Sequence, residues 1–156
     1  MDPVIDMDIT MLIVGAVGGA LFAAIAFAFE RRTRQILVRG LIVAALVYVL
    51  FALRSDAGPA WLAIELAGVA VYGAIAWLGL GGSPWWLVAG WALHPIWDIA
   101  VHLVGPGRAF APSEYAVACL TWDPVVAVAI AISILRRSRR LTTRPMDPSA
   151  IAPMSR

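Results

Sequence analysis

His94, Asp98 and His102 recur at every fourth residue in WALHPIWDIAVH, the run from Trp91 to His102. A helix stacks side chains at that spacing on one slowly drifting face, with Trp91 one turn before them. An imidazole beside a carboxylate is the pairing that general acid/base catalysis uses. The same donors ligate divalent metals, but His94 and His102 would stand about 12 Å apart at the helical rise of about 1.5 Å per residue, too far to share one ion without distortion. Two further carboxylates, Glu65 and Asp123, interrupt equally apolar runs. Ionisable groups in such surroundings are costly to bury and mark function by default. The candidate catalytic residues are therefore Asp98, Asp123, His94, Glu65 and His102, with Asp98 or Asp123 as the acid and His94 as the base. Trp91, Trp97 and Trp122 beside these acids, and Tyr72 seven residues from Glu65 on the same face, are candidates to line a substrate pocket.

The elements that must position these groups are membrane spans. Of the 156 residues, 62% are hydrophobic and only 14% charged, and the mean hydropathy is +0.84, far from the balance of a soluble domain. The expected fold is an all-α bundle of five transmembrane helices over residues 1–137, with spans near 9–29, 36–53, 60–80, 85–104 and 115–135. A disordered basic tail over 138–156 should follow. Every cationic side chain is Arg. Arg31, Arg32, Arg34 and Arg39 flank one loop and Arg136, Arg137, Arg139, Arg140 and Arg144 follow the last span, against only Arg54 and Arg108 on the other side. The positive-inside rule then puts the N-terminus outside and the C-terminus inside. Counted inward from the outer ends at about 1.5 Å per residue, Glu65, Asp98 and Asp123 lie about 8, 9 and 12 Å deep, which predicts convergence on one pocket.

Smaller features refine this. Gly15 and Gly19 form a GxxxG pair that lets another helix approach closely. Pro95 and Pro124 each remove a donor in mid-span, either opening backbone toward a cavity or only kinking the helix. Ser83 and Ser113 are expected N-caps. Trp61, Trp77, Trp85 and Trp86 fall at the predicted interfaces and read as belt residues. Single Cys119 excludes an intramolecular disulfide and reads as a small buried helix residue, although Tyr115, Cys119 and Asp123 align on one face. The bland account of the ionisable groups is structural pairing, His94 with Asp98 and His102 with Glu65. Glu114 and Asp147 are left out as loop and tail residues. The acidic start, Asp2, Asp6 and Asp8, lacks the basic region of a signal peptide.

The pattern Glu65, Tyr72, Trp91-Ala92-Leu93-His94, Trp97-Asp98, His102, then Phe110-Ala111-Pro112, Cys119 and Asp123 resembles a family of small bacterial integral membrane proteins catalogued only as a domain of unknown function. The resemblance covers spans three to five, while spans one and two match only in hydrophobicity. It implies the bacterial inner (cytoplasmic) membrane and supplies no activity. In architecture the chain is also similar to the emopamil-binding type of sterol isomerase, which combines five spans, Trp and intramembrane His and Glu, without alignable motifs. The Trp-Pro-Pro signature of the tryptophan-rich sensory proteins is missing.

Three functions fit the residues. The first is an intramembrane acid/base enzyme, an isomerase or cyclase acting on a lipophilic, terpenoid or sterol-like molecule and needing no cofactor. The second is a metal-dependent hydrolase or oxidase with a divalent ion on His94, Asp98, His102, Asp123 and Glu65. The third is a small proton- or ion-coupled transporter or lipophile-binding protein, assembled as a homo-oligomer. The expected partners are a lipophilic small molecule and membrane lipids, with no nucleic acid.

Overall fold

In the computed structural model, residues 9–142 are described. The acidic start and Asp147 lie outside the described residues. Five helices follow the five apolar runs: α1 Ile9–Ala28, α2 Thr33–Arg54, α3 Pro59–Gly81, α4 Trp85–Trp97 and α5 Ser113–Thr142. Of these, α1, α2, α3 and α5 are long and apolar enough to cross a membrane. The fourth differs from the expected uniform span, because α4 passes at Asp98 into a π-helical turn, Asp98–Leu103, and then into a 3-10 turn, Pro106–Ala109. The fifth differs as well: α5 continues through Thr142, beyond residue 138, where the disordered tail was expected to begin. Residues 143–156 of that tail lie outside the described residues.

Local chemistry sets the boundaries. Gly58, at φ +91°, turns the chain into α3, and Pro59 occupies its first turn, where a missing N–H costs nothing. Ser83 Oγ accepts the Trp85 N–H at 3.3 Å, but α4 begins at Trp85 with Pro84 in the cap position, one residue later than expected, so Ser83 is not the N-cap. Ser113 does not cap its helix either. It is already the first residue of α5, and its hydroxyl donates to Glu114 Oε2 at 3.4 Å. Pro95 and Pro124 both lie inside continuous helix, so neither breaks its span at that point.

The helices pack in chain order, α1 on α2, α2 on α3, α3 on α4 and α4 on α5, and α5 returns onto α1 to close the ring. The α1–α5 contact is built over glycine: a Cβ at Gly19 would lie 2.6 Å from Trp122 O, and one at Gly15 would overlap Ala118 O. Thr121 Oγ1 fastens the same seam by donating to Leu12 O at 2.6 Å. The GxxxG pair thus allows near-backbone contact.

Contacts between the loops identify the two ends. Arg34 Nη1 donates to Leu80 O and Gly82 O, so the start of α2 and the end of α3 share one end. At the other end Ser55 Oγ donates to Phe110 O at 3.3 Å and Trp61 packs on Phe110. Between the ends the interior divides in two. Leu37, Leu41, Ala76, Leu87, Val126 and Ile130 fill the half nearer the arginine-rich end with apolar packing. The other half buries Glu65, His94, Asp98, His102 and Asp123. Large apolar side chains such as Val17, Leu21, Leu50, Val71, Ile96 and Ile132 point outward. In water that surface would be an aggregation liability; in a bilayer it is the solvated face.

Candidate functional site

α4 delivers His94 and Asp98 one turn apart, and α5 presents Asp123 from the facing helix. His94 Nδ1 lies 2.9 Å from Asp123 Oδ2 in a buried hydrogen bond and 3.4 Å from Asp98 Oδ2. A ring nitrogen carries one proton at most, so a bond aimed at Asp123 leaves Asp98 with an electrostatic contact and no hydrogen bond. Among the described residues neither Asp98 oxygen has a hydrogen-bond partner, and the same holds for Asp123 Oδ1 and His94 Nε2. All three side chains are fully buried. Two buried carboxylates sharing one imidazole are a costly arrangement, several kcal/mol per desolvated ion in order of magnitude.

A second pair forms nearer the Trp61–Phe110 end. His102 Nε2 lies 3.6 Å from Glu65 Oε2, within ion-pair range and too long for a good hydrogen bond. The π turn after Asp98, marked by the Val104 N–H bonding Ile99 O at 2.9 Å, is wider than an α turn and sets where His102 points. The ring of Tyr48 stacks flat on His102, with centroids 3.7 Å apart and planes 6° from parallel. The same Tyr48 ring stands 6.3 Å from His94, so it joins the two pairs. Above His102 the Gly105-Pro106-Gly107 loop forms a roof. A Cβ at Gly107 would stand 2.8 Å from His102 Nδ1, and Phe110 meets the imidazole edge-on at 5.9 Å.

The aromatic candidates divide. Tyr72 sets its edge against His94 at 4.9 Å and donates to Leu93 O at 3.2 Å, so it positions the imidazole. Trp91 and Trp122 line an apolar groove of about 420 Å³ between α1, α2 and α5, which also exposes Val14, Phe22, Val43 and Val47 and reaches Cys119 and Asp123. Trp97 packs instead on Gly68 of α3, outside that groove. The expected belt tryptophans Trp77, Trp85 and Trp86 are exposed, while Trp61 is part of the roof.

Ligand-type atoms of His94, Asp98, Cys119 and Asp123 all lie within 4.8 Å of one another, each buried. Tetrahedral zinc with bonds of about 2.0–2.3 Å holds its ligand atoms about 3.5 Å apart, so a small contraction would seat such an ion. Glu65 and His102, expected in the same ligand set, fall outside this group, and Cys119 takes their place. Cys119 and Tyr48 are the two site residues that the sequence reading passed over. Both had a signal: Cys119 lies one turn before Asp123 on the Tyr115 face, and Tyr48 is the one hydrogen-bonding side chain between Arg39 and Arg54.

No curated protein and no solved structure matches the chain. A family model does match, over residues 10–134. That span takes in every residue of the cluster, and it includes α1 and α2, where the resemblance had rested on hydrophobicity alone. The chain therefore belongs to the family of unknown function DUF6010.

Proposed function

We propose that this protein is a membrane-embedded enzyme that isomerises or cyclises a lipophilic, terpenoid or sterol-like alkene by proton transfer. The observation that carries the reading is the His94 imidazole held between Asp98 and Asp123 beside an apolar groove. A carboxyl group of Asp98 or Asp123 gives its proton to one alkene carbon. His94 or the second carboxylate removes a proton from a neighbouring carbon, and a proton passing between the two groups restores the start. The faces of Trp91 and Trp122 shield the cation formed between the two steps. The groove has the size of a small-molecule site and lies between α1 and α2, so a substrate dissolved in the bilayer reaches it from the side.

This reading places the protein in a bacterial cytoplasmic membrane with five spans, the N-terminus outside and the C-terminus inside. The thirteen residues of α4 and the six of the π turn together measure about 28 Å at the helical rise, close to the hydrocarbon thickness of a bilayer. The cluster then lies in the outer half.

Cys119 favours a second reading. A thiol within the same 4.8 Å cluster adds a soft ligand to one imidazole and two carboxylates, a donor set suited to a zinc-class ion. In that case the ion supplies Lewis acidity, and the four side chains hold it. One experiment separates the two. Elemental analysis of purified protein before and after chelation is run beside turnover of a lipid extract by the wild type, Asp98→Asn and Asp123→Asn. Proton transfer by the side chains predicts turnover that survives chelator and dies with either Asn variant. A stoichiometric ion whose removal stops turnover, and whose return restores it, would transfer the site to the metal reading. Full turnover by both variants would end both.

A further inference from the structure

The arginines at the far end from this cluster surround a hollow, which the positive-inside rule does not require. A cleft of about 410 Å³ lies between the α1–α2 turn, the start of α4 and the last turns of α5. Arg31, Arg34 and Arg137 line it, with Glu30 as the one carboxylate in its wall. Its floor is made by Leu37, Leu87 and Ile130, all buried. Arg34 is anchored, because its Nη1 donates to Leu80 O and Gly82 O at 3.4 and 3.1 Å, which fixes one positive charge at the rim. A neighbouring hollow shares Phe27, Glu30 and Arg137 and adds Arg136 and Arg140. The last turns of α5, past the apolar stretch, are what carry these arginines to the α1–α2 turn.

The geometry points to a binding site for an anionic phospholipid, with its phosphate among Arg31, Arg34 and Arg137 and the first carbons of its chains on the apolar floor. Guanidinium groups match phosphate oxygens in charge and in fork geometry. The cleft holds an excess of positive charge, three arginines against one glutamate. A free phosphate would gain nothing from the leucines and isoleucine beneath the arginines, whereas a lipid uses both layers. Basic pockets between helix ends on the inner side of a membrane bind lipid headgroups in this way. The site is independent of the chemistry proposed for the His94 cluster.

The test is retention of lipid by the full-length protein in detergent, read by mass spectrometry of the intact complex. Phosphatidylglycerol, phosphatidylcholine and glycerol 3-phosphate are the probes. The wild type is expected to hold phosphatidylglycerol about tenfold more tightly than phosphatidylcholine. Arg31→Gln/Arg137→Gln is expected to lose about that factor, while Arg54→Gln at the other end keeps it. Equal retention of the two lipids, or an unchanged double variant, would overturn the proposal. So would displacement of the lipid by equimolar glycerol 3-phosphate, which would make the cleft a phosphate site. If the double variant does not fold, sodium chloride titration of the wild type decides. Retention must fall as salt screens the arginines, and retention indifferent to salt refutes the site.

Discussion

At the scale of single residues, the decisive asymmetry is that His94 bonds Asp123 Oδ2 and stands 3.4 Å from Asp98 Oδ2 without a hydrogen bond. A buried carboxyl group whose oxygens accept no hydrogen bond is expensive, so replacing it with an amide should help the fold even as it harms the site. Asp98→Asn is expected to raise stability by about 1 kcal/mol, seen as a higher melting temperature in detergent. Asp123→Ala, which takes away the hydrogen-bond acceptor of His94, is expected to lower stability by about 1–3 kcal/mol. If Asp98→Asn melted below the wild type, that carboxylate would be a structural partner and the argument from its isolation would fail. The five ionisable groups were legible because charge inside an apolar run is conspicuous without any structure. Tyr48 and Cys119 escaped because each has an ordinary explanation as a packed helix residue. Only the folding of α2 and α5 against α4 brings them to the imidazoles.

At the scale of elements, the seam between α1 and α5 shows how small residues set distances that chemistry then uses. Gly15 and Gly19 let the α1 backbone touch Ala118 and Trp122, which carries Trp122 to the wall of the groove and Asp123 toward His94. Gly19→Val would force the helices apart, and a cost of about 1–3 kcal/mol is expected from overpacking. A thermal scan in detergent would measure it, and an unchanged melting temperature would mean that the seam is looser than its geometry. The helices themselves were readable from hydrophobic runs and from the Gly58-Pro59 and Ser83-Pro84 boundaries. The π turn was not. Pro95 announced an irregularity in this stretch, but the form it takes depends on which carbonyls the packed neighbours leave unsatisfied, and no local spacing encodes that.

At the scale of the whole molecule, the arginines of the α1–α2 turn and of the end of α5 meet at one end, and Arg54 and the Arg108 turn stand at the other. The proposed orientation is checked by reporter fusions: a periplasm-active reporter should work at the N-terminus and a cytoplasm-active one at the C-terminus. Both termini reporting from the same side would require an even number of crossings, with α4 and its π turn not counted among them. Depths could be counted from sequence for Glu65 and Asp123, which lie in α-helix of regular rise, but Asp98 is counted through the π turn, where the rise per residue is smaller. The groove could not be read from sequence, since it exists only where α1 and α2 part. The π turn has one more consequence, for the length of the chain. Such a turn spends one residue more than an α-helix needs for the same climb, which makes it a built-in slack. Excising Ala100 would return the stretch to ordinary helix and leave Gly105 and α5 in register, whereas excising Ala92 would swing Asp98 and His102 about 100° away from their partners.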